Sequence, residues 1–186
     1  EPEQQEQTKM HLEGRLRVEL ESLYNERMSL IGSHFPHGPD QQAADQQENK
    51  RAQVLSRLYG LTGDVKIHLV VDLLKRWLAD PTKGQVCIFA HHISVLDAIE
   101  KQCGLSSSVD SKGRFIRIDG STSPKLRQEQ ISAFQTDPTI RVALLGITAA
   151  GVAVTLTAAS TVWFAELFWT PAIMIQAEDR CHRIGQ

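Results

Sequence analysis

Apolar residues recur along this chain with different periods, and the changes of period divide it. From about Lys9 to Leu30 the spacing is helical: Leu16, Leu20, Leu23 and Arg27 recur on one face, and Glu13/Arg17 and Arg15/Glu19 form i,i+4 pairs. Residues 32–50, GSHFPHGPDQQAADQQENK, lack periodicity and are rich in Gly, Pro, Gln, Asn and Asp, so they read as a loop or linker. Between Asp64 and Leu78, Ile67, Val70, Val71, Leu74 and Leu78 make the i, i+3, i+4, i+7, i+11 ladder of an amphipathic helix.

Beyond that ladder, short continuous apolar runs alternate with helical segments. VCIFA (86–90), RFIRI (114–118), RVALLGI (141–147) and TVWFAE (161–166) read as strands. Helices are expected over Ile93–Gln102, Pro124–Gln135 and Ala172–Cys181, with a small-residue turn and a short helix after 147. Residues 103–112 (CGLSSSVDSK) read as a surface loop. Apolar strands alternating with helices imply a parallel sheet covered on both faces, an α/β three-layer domain. The expected organisation is a helical extension and flexible linker over residues 1–50, followed by one α/β domain over 51–186.

Composition narrows the chemistry. With 186 residues, 41% hydrophobic and 23% charged, the chain can bury a full core, and its net charge of −2 argues against holding nucleic acid by bulk positive charge. Any phosphate contact rests on a few placed residues. Three cysteines, Cys87, Cys103 and Cys181, with no C-x-x-C, read as free thiols in a reducing compartment. His34 and His37 have no carboxylate or thiol at ligand spacing and read as solvated loop histidines, so no metal site is expected. No apolar run reaches membrane-spanning length, and the polar beginning EPEQQEQTKM is unlike a signal peptide. The expectation is a soluble intracellular protein.

Ligands of open parallel sheets gather at the C-terminal strand ends, and each strand here runs into a distinctive stretch. VCIFA leads to His91-His92, adjacent residues that point to opposite sides and therefore suit structural roles or a hydrogen bond to a passing ligand rather than joint metal binding. RFIRI leads to IDGSTSP: Gly120 permits a tight turn, Ser123 is a good N-cap, and Pro124 suits the first helical position. Those three make a well-built strand-to-helix turn but leave Arg117, inside an apolar strand, in want of a partner. RVALLGI leads to Thr148-Ala149-Ala150-Gly151, whose small residues allow backbone approach to a phosphate or plain close packing. No G-x-x-x-x-G-K-S/T loop occurs. TVWFAE leads through Leu167-Phe168-Trp169 to Thr170-Pro171, an N-cap with Pro at the first helical position. The last helix carries Gln176, Arg180 and Arg183 at i, i+4 and i+7. That spacing fits either a solvated face in which Asp179 pairs with Arg183 or a bidentate phosphate clamp.

In their order and spacing, IFAHHISVLDAI, RIDGST, the TAAG-to-TAAS stretch, FAELFWTP and QAEDRCHRIGQ resemble the second RecA-like lobe of superfamily-two helicase-type ATPases of the SWI/SNF family. The wording of FAHH, FAELFW and QAEDRCHRIGQ is nearest to the SMARCA-like annealing helicases. The resemblance covers about Tyr59 to Gln186. It implies that Arg180 and Arg183 are arginine fingers for the γ-phosphate, that Gln176 and Asp179 support them, and that Gly151 approaches the nucleotide. It also implies that Arg117, Gly120, Ser121, Thr148 and Trp169 lie along the DNA backbone without reading sequence. The implied activity is DNA-dependent ATP hydrolysis with Mg²⁺, driving translocation that rewinds or remodels duplex or forked DNA. The implied partners are DNA and a first RecA-like lobe, in a nuclear monomer.

Three departures accompany the resemblance. The opposite lobe, with its Walker lysine and D-E-x-H box, is absent from these residues, so the chain is expected to be inactive alone and to be part of a longer protein. Ala153 in Gly151-Val152-Ala153-Val154 stands where glycine is usual, and its Cβ weakens the nucleotide contact if positive φ or close approach is needed. Thr170-Pro171-Ala172-Ile173 replaces a Pro-Gly turn. The alternative from another class is a non-catalytic DNA-binding or regulatory module that keeps this fold.

Overall fold

The computed structural model describes residues 17–19, 21–29, 41–106, 114–148, 156–168 and 170–181. The chain divides into two compact units, residues 1–65 and 66–186. The family of elements begins with helical segments at 17–19 and 21–29 and continues with α1 (Gln41–Ala79), a single helix of 39 residues.

This helix corrects the linker reading. The Gly and Pro breakers end at Pro39, and the Gln, Ala, Asp, Glu and Lys residues that follow are compatible with a helix even though they are polar. Residues 41–50 therefore form the start of α1 instead of a loop, and the expected boundary at 50/51 falls inside it. In the first unit, Leu23 and Val54 are buried, and Arg57 reaches Glu19 at 3.4 Å. Arg17 pairs with Glu21 at 3.3 Å, both of them exposed. Glu13 and Arg15 lie outside the described residues.

The second unit carries β1 (Val86–Ala90), α2 (Ile93–Cys103), β2 (Phe115–Ile118), α3 (Pro124–Thr136), β3 (Val142–Gly146), β4 (Thr161–Phe164) and α4 (Pro171–Asp179). The four strands form one sheet in the order β2-β3-β1-β4, and every pairing is parallel. Alternate residues feed two cores, because successive strand side chains point to opposite faces. Cys87, Phe89, Ile116, Ile118, Ala143 and Leu145 pack with Ile131 and Phe134 of α3 and with Ala177 and Cys181 at α4. Val86, Ile88, Ala90, Val142 and Leu144 pack with Ile67, Val71 and Leu74 of α1 and Val95, Leu96 and Ile99 of α2. The sheet is thus sandwiched as the continuous apolar strands imply. Among these, each fully buried Val, Leu, Ile or Phe side chain contributes about 1.5–3 kcal/mol.

Polar contacts fix the element ends. Arg141, just before β3, donates to the carbonyls of Trp77, Leu78, Asp80 and Lys83 at 2.8–3.0 Å and so closes the C-terminus of α1, where orphan carbonyls favour a cation. Trp77 and Trp163 meet edge to face at 5.4 Å. Gly104 ends α2 in the left-handed region, φ 61°, where any other residue would be strained. Ser123 caps α3 by accepting from the Leu126 amide at 3.3 Å, with Pro124 next to it, as the turn sequence implies. Thr170 occupies the N-cap position of α4 without a side-chain bond.

Candidate functional site

The strand order creates a switch point. From β1 the chain leaves through α2 towards β2, and from β3 it leaves towards β4, although β1 and β3 are neighbours. Crevices at such points, outside the carboxyl ends of the strands, hold ligands in open α/β sheets. Ala90 is in register with Gly146, and the Ile147 amide donates to the Ala90 carbonyl at 2.9 Å. Past these residues stand His91 and His92 on one side and exposed Thr148 on the other.

At the end of β4, Glu166 is only 2% exposed. Its Oε2 accepts from the backbone amides of His91 and His92, both at 2.8 Å, and its Oε1 lies 2.6 Å from His92 Nδ1. A carboxylate at this place offsets its desolvation through three charge-assisted bonds and the positive end of α2. Against an ionised carboxylate, Nδ1 is the protonated nitrogen of His92. His92 is itself the N-cap of α2 and offers no side-chain cap bond; Glu166 instead accepts from the N-cap amide itself and from the one before it, the former being the bond that a capping-box Glu makes from within its own helix. The His91 ring lies 4.8 Å from that of His92 and 4.9 Å from that of Phe168. Burial first, then the neighbouring His92, hold the His91 pKa below the ordinary imidazole value.

At the end of β2, a second cluster closes on itself. Asp119 is 6% exposed. Its Oδ1 accepts from the Ser121 hydroxyl at 2.6 Å and the Ser121 amide at 2.9 Å, and its Oδ2 accepts from Arg117 Nε at 2.9 Å. Its own amide donates to Thr122 Oγ1 at 3.0 Å. The Ser121 hydroxyl, more than any other cause, holds the Asp119 carboxyl below the usual carboxylate range. Arg117 Nη1 also reaches Asp97 at 2.7 Å and Glu100 at 2.8 Å, both on α2. Burial works against the Arg117 charge, but the hydrogen bonds it donates to Glu100, Asp97 and Asp119 outweigh it and raise its pKa. The partner that Arg117 lacked in the sequence is therefore a set of three carboxylates.

The third piece is α4. Ala177 and Cys181 face the core, while Gln176 and Asp179 are exposed and Arg180, the C-cap, is half-buried. The Arg180 carbonyl accepts from the Leu156 amide at 2.9 Å, which ties the residue following the 149–155 stretch to the end of α4. Cys181 also donates to or accepts from the Cys87 thiol, and this contact, with burial, pushes the Cys87 pKa well up. Of the predicted site residues, Arg117, Gly120 and Ser121 gather at the end of β2, Thr148 follows β3, and Gln176, Asp179 and Arg180 share α4. Gly151, Ala153, Trp169 and Arg183 lie outside the described residues. Sequence reasoning missed Glu166 and the carboxylates around Arg117. The signal for Glu166 was an acid closing the apolar run TVWFAE, which needs a buried partner as much as Arg117 does. Among the described residues, no group of three or more His, Cys, Asp or Glu side chains converges as a metal site.

A three-layer parallel sheet of this order, with its polar groups gathered at the C-terminal strand ends, is a RecA-like lobe. Residues 65–185 match the helicase conserved C-terminal domain, and the chain belongs to that family. It is 44% identical over 149 residues to a SWI/SNF-related matrix-associated actin-dependent regulator of chromatin subfamily A-like protein 1 homolog of Caenorhabditis elegans, covering 79% of this chain and 21% of that protein. It is 44% identical over 133 residues to the human DNA annealing helicase and endonuclease ZRANB3, covering 72% of this chain and 12% of that protein. The chain thus spans about a fifth or less of these curated relatives' length. The C-terminal part of the Fun30 ATPase domain superposes with a TM-score of 0.55 at 35% identity, over 65% of this chain and 37% of that one. The C-terminal domain of a Sulfolobus solfataricus SWI2/SNF2 ATPase shares the fold, with a TM-score of 0.62 at 18% identity, over 86% of this chain and 70% of that one. The chain is the second helicase lobe of the SWI/SNF type.

Proposed function

We propose that this lobe works in a DNA-dependent ATPase that translocates on duplex or forked DNA and rewinds it, a nuclear enzyme of replication-fork repair. The observation that carries the reading is the placement of Arg180 on α4, whose end is tied to the chain leaving the β3 crevice, in a lobe whose relatives include an annealing helicase. Arg180 and Arg183 reach the γ-phosphate of ATP bound with Mg²⁺ on the first lobe, Gln176 and Asp179 support them, and Gly151 approaches the nucleotide. Planar guanidiniums suit this task because they pair with phosphoryl oxygens as charge develops there.

Thr148, Gly120, Ser121 and Trp169 line the DNA backbone in this reading, with phosphate contacts that carry no sequence information, and Arg117 stands behind them. Thr148, Gly120 and Ser121 are exposed, which supports it. Arg117 contributes indirectly: a phosphate has to compete with three carboxylates, so its part is to hold the Asp119 turn that presents Gly120 and Ser121. A second reading, a non-catalytic DNA-binding module, is favoured by Ala153 in the place of glycine.

Measuring hydrolysis separates the two. The 186-residue chain alone is expected to show no DNA-stimulated ATPase above blank, and adding the first lobe restores it. In that two-lobe enzyme Arg183→Ala lowers the rate on the order of 10³-fold, the scale of a lost arginine finger. A loss under about tenfold removes Arg183 from that role. No activity with both lobes supports the binding module, and Ala153→Gly then tests whether the alanine is the cause.

A further inference from the structure

Glu166 is a buried carboxylate that none of the motor chemistry uses. Capping α2 does not account for it: its Oε2 accepts from the His91 and His92 amides, which precede α2, and not from the first-turn amides that an N-cap side chain serves. What Glu166 adds is attachment of its own segment. It is the residue at which the chain leaves β4 for α4, and Pro171, the first residue of α4, follows five positions later.

Two more contacts continue the attachment along that connection. The Phe168 ring packs on His91, and the Phe168 amide donates to Met174 Sδ of α4 at 3.4 Å. The β1–α2 turn therefore grips Glu166 through two amides and an imidazole, it grips Phe168 through a ring, and Phe168 grips the first turn of α4. On α4 stand Gln176, Asp179 and Arg180.

We propose that Glu166, with His92 as its partner, is a positioning residue that sets where α4 presents Arg180 to the nucleotide. Glu166 touches no reacting atom. It fixes the start of the helix whose far end does, and a displacement of about 1 Å at a catalytic group can cost on the order of 10²-fold in rate. This role rests on the motor reading, in which Arg180 at the end of α4 is a finger.

The test compares variants in the polypeptide carrying both lobes, by DNA-stimulated ATP hydrolysis and by amide hydrogen exchange. Glu166→Ala is expected to lower kcat roughly 10–100-fold while KM for ATP stays within about twofold, because the fingers act in the transition state. Glu166→Gln should recover kcat to within about threefold of the parent, since the amide oxygen can accept from both backbone N–H groups and its NH2 can donate to the other His92 tautomer. Exchange at the Ile173 amide, which donates to the Thr170 carbonyl at 3.0 Å, should rise in Glu166→Ala while that of Leu144 in β3 is unchanged.

Parental kcat in Glu166→Ala overturns the proposal. So does a Gln variant as slow as the Ala variant, or unchanged α4 exchange. If Glu166→Ala does not fold, His92→Ala decides: it keeps both amide bonds, and a lower kcat at parental KM supports the role whereas parental kcat refutes it. If the unmodified two-lobe polypeptide hydrolyses no ATP, the motor reading fails separately, and Ile173 exchange still settles whether Glu166 places α4.

Discussion

Two acidic residues end two strands of the same sheet, and they are held in opposite ways. Asp119 takes its partners from Arg117 and Ser121, two residues to either side, in a turn that could be assembled from one short peptide. Glu166 takes its partners from His91 and His92, 75 and 74 residues away, and can find them only after β1 and β4 have paired. Both carboxylates are buried and both receive three hydrogen bonds. The difference is one of loop closure: the local cluster shapes a turn, whereas the distant one joins two connections of the sheet.

Cutting the distant cluster should have the larger effect on stability. Glu166→Ala strands two amides at the start of α2 and one imidazole, and is expected to destabilise the chain by about 3 kcal/mol in chemical denaturation, given about 1–3 kcal/mol for each unsatisfied buried group and partial access of water. Asp119→Ala should cost less, about 1–2 kcal/mol, because Arg117 keeps Asp97 and Glu100. Equal losses from the two variants would show that the contrast between local and distant clusters has no energetic content.

The Asp119 effect also carries a pH signature. The folded carboxyl titrates below its unfolded value near 3.8, so its contribution is complete above that value and fades as pH falls through the lower, folded pKa. The stability gap between the parent and Asp119→Ala should therefore narrow on acidification below about pH 4 and should not vary between pH 6 and 8. The smallest expected change is Ser123→Ala. Loss of the α3 cap should cost about 1 kcal/mol by the same denaturation, and a null result would place the cap on Pro124 alone.

What the sequence disclosed follows the same division between local and distant. β1 and β3 were legible because VCIFA and VALLG are apolar on both faces, as central parallel strands must be, and α3 because Ser123 and Pro124 mark its start within one short stretch. The start of α1 was not legible, since residues 41–50 carry no apolar stripe to distinguish a polar helix from a linker. Arg117 could be recognised as needing a partner, but two of its three partners come from α2, brought alongside β2 only by the fold. Glu166 was more opaque still, because nothing near FAELFW names the histidines that close on it. The Gln176, Arg180 and Arg183 spacing was recognisable as a pattern in the sequence; the attachment of α4 was not.

The meeting of Trp77 with Trp163 has a practical side. One indole belongs to the last turns of α1 and the other to β4, and they stand edge to face at 5.4 Å with rings 81° apart. Two indoles so close and so steeply inclined couple their strong far-ultraviolet transitions, which adds to the circular dichroism there a bisignate band that neither ring produces alone. The protein thus has a native optical reporter of whether its long helix is seated on the sheet, readable without a label and without nucleotide or DNA.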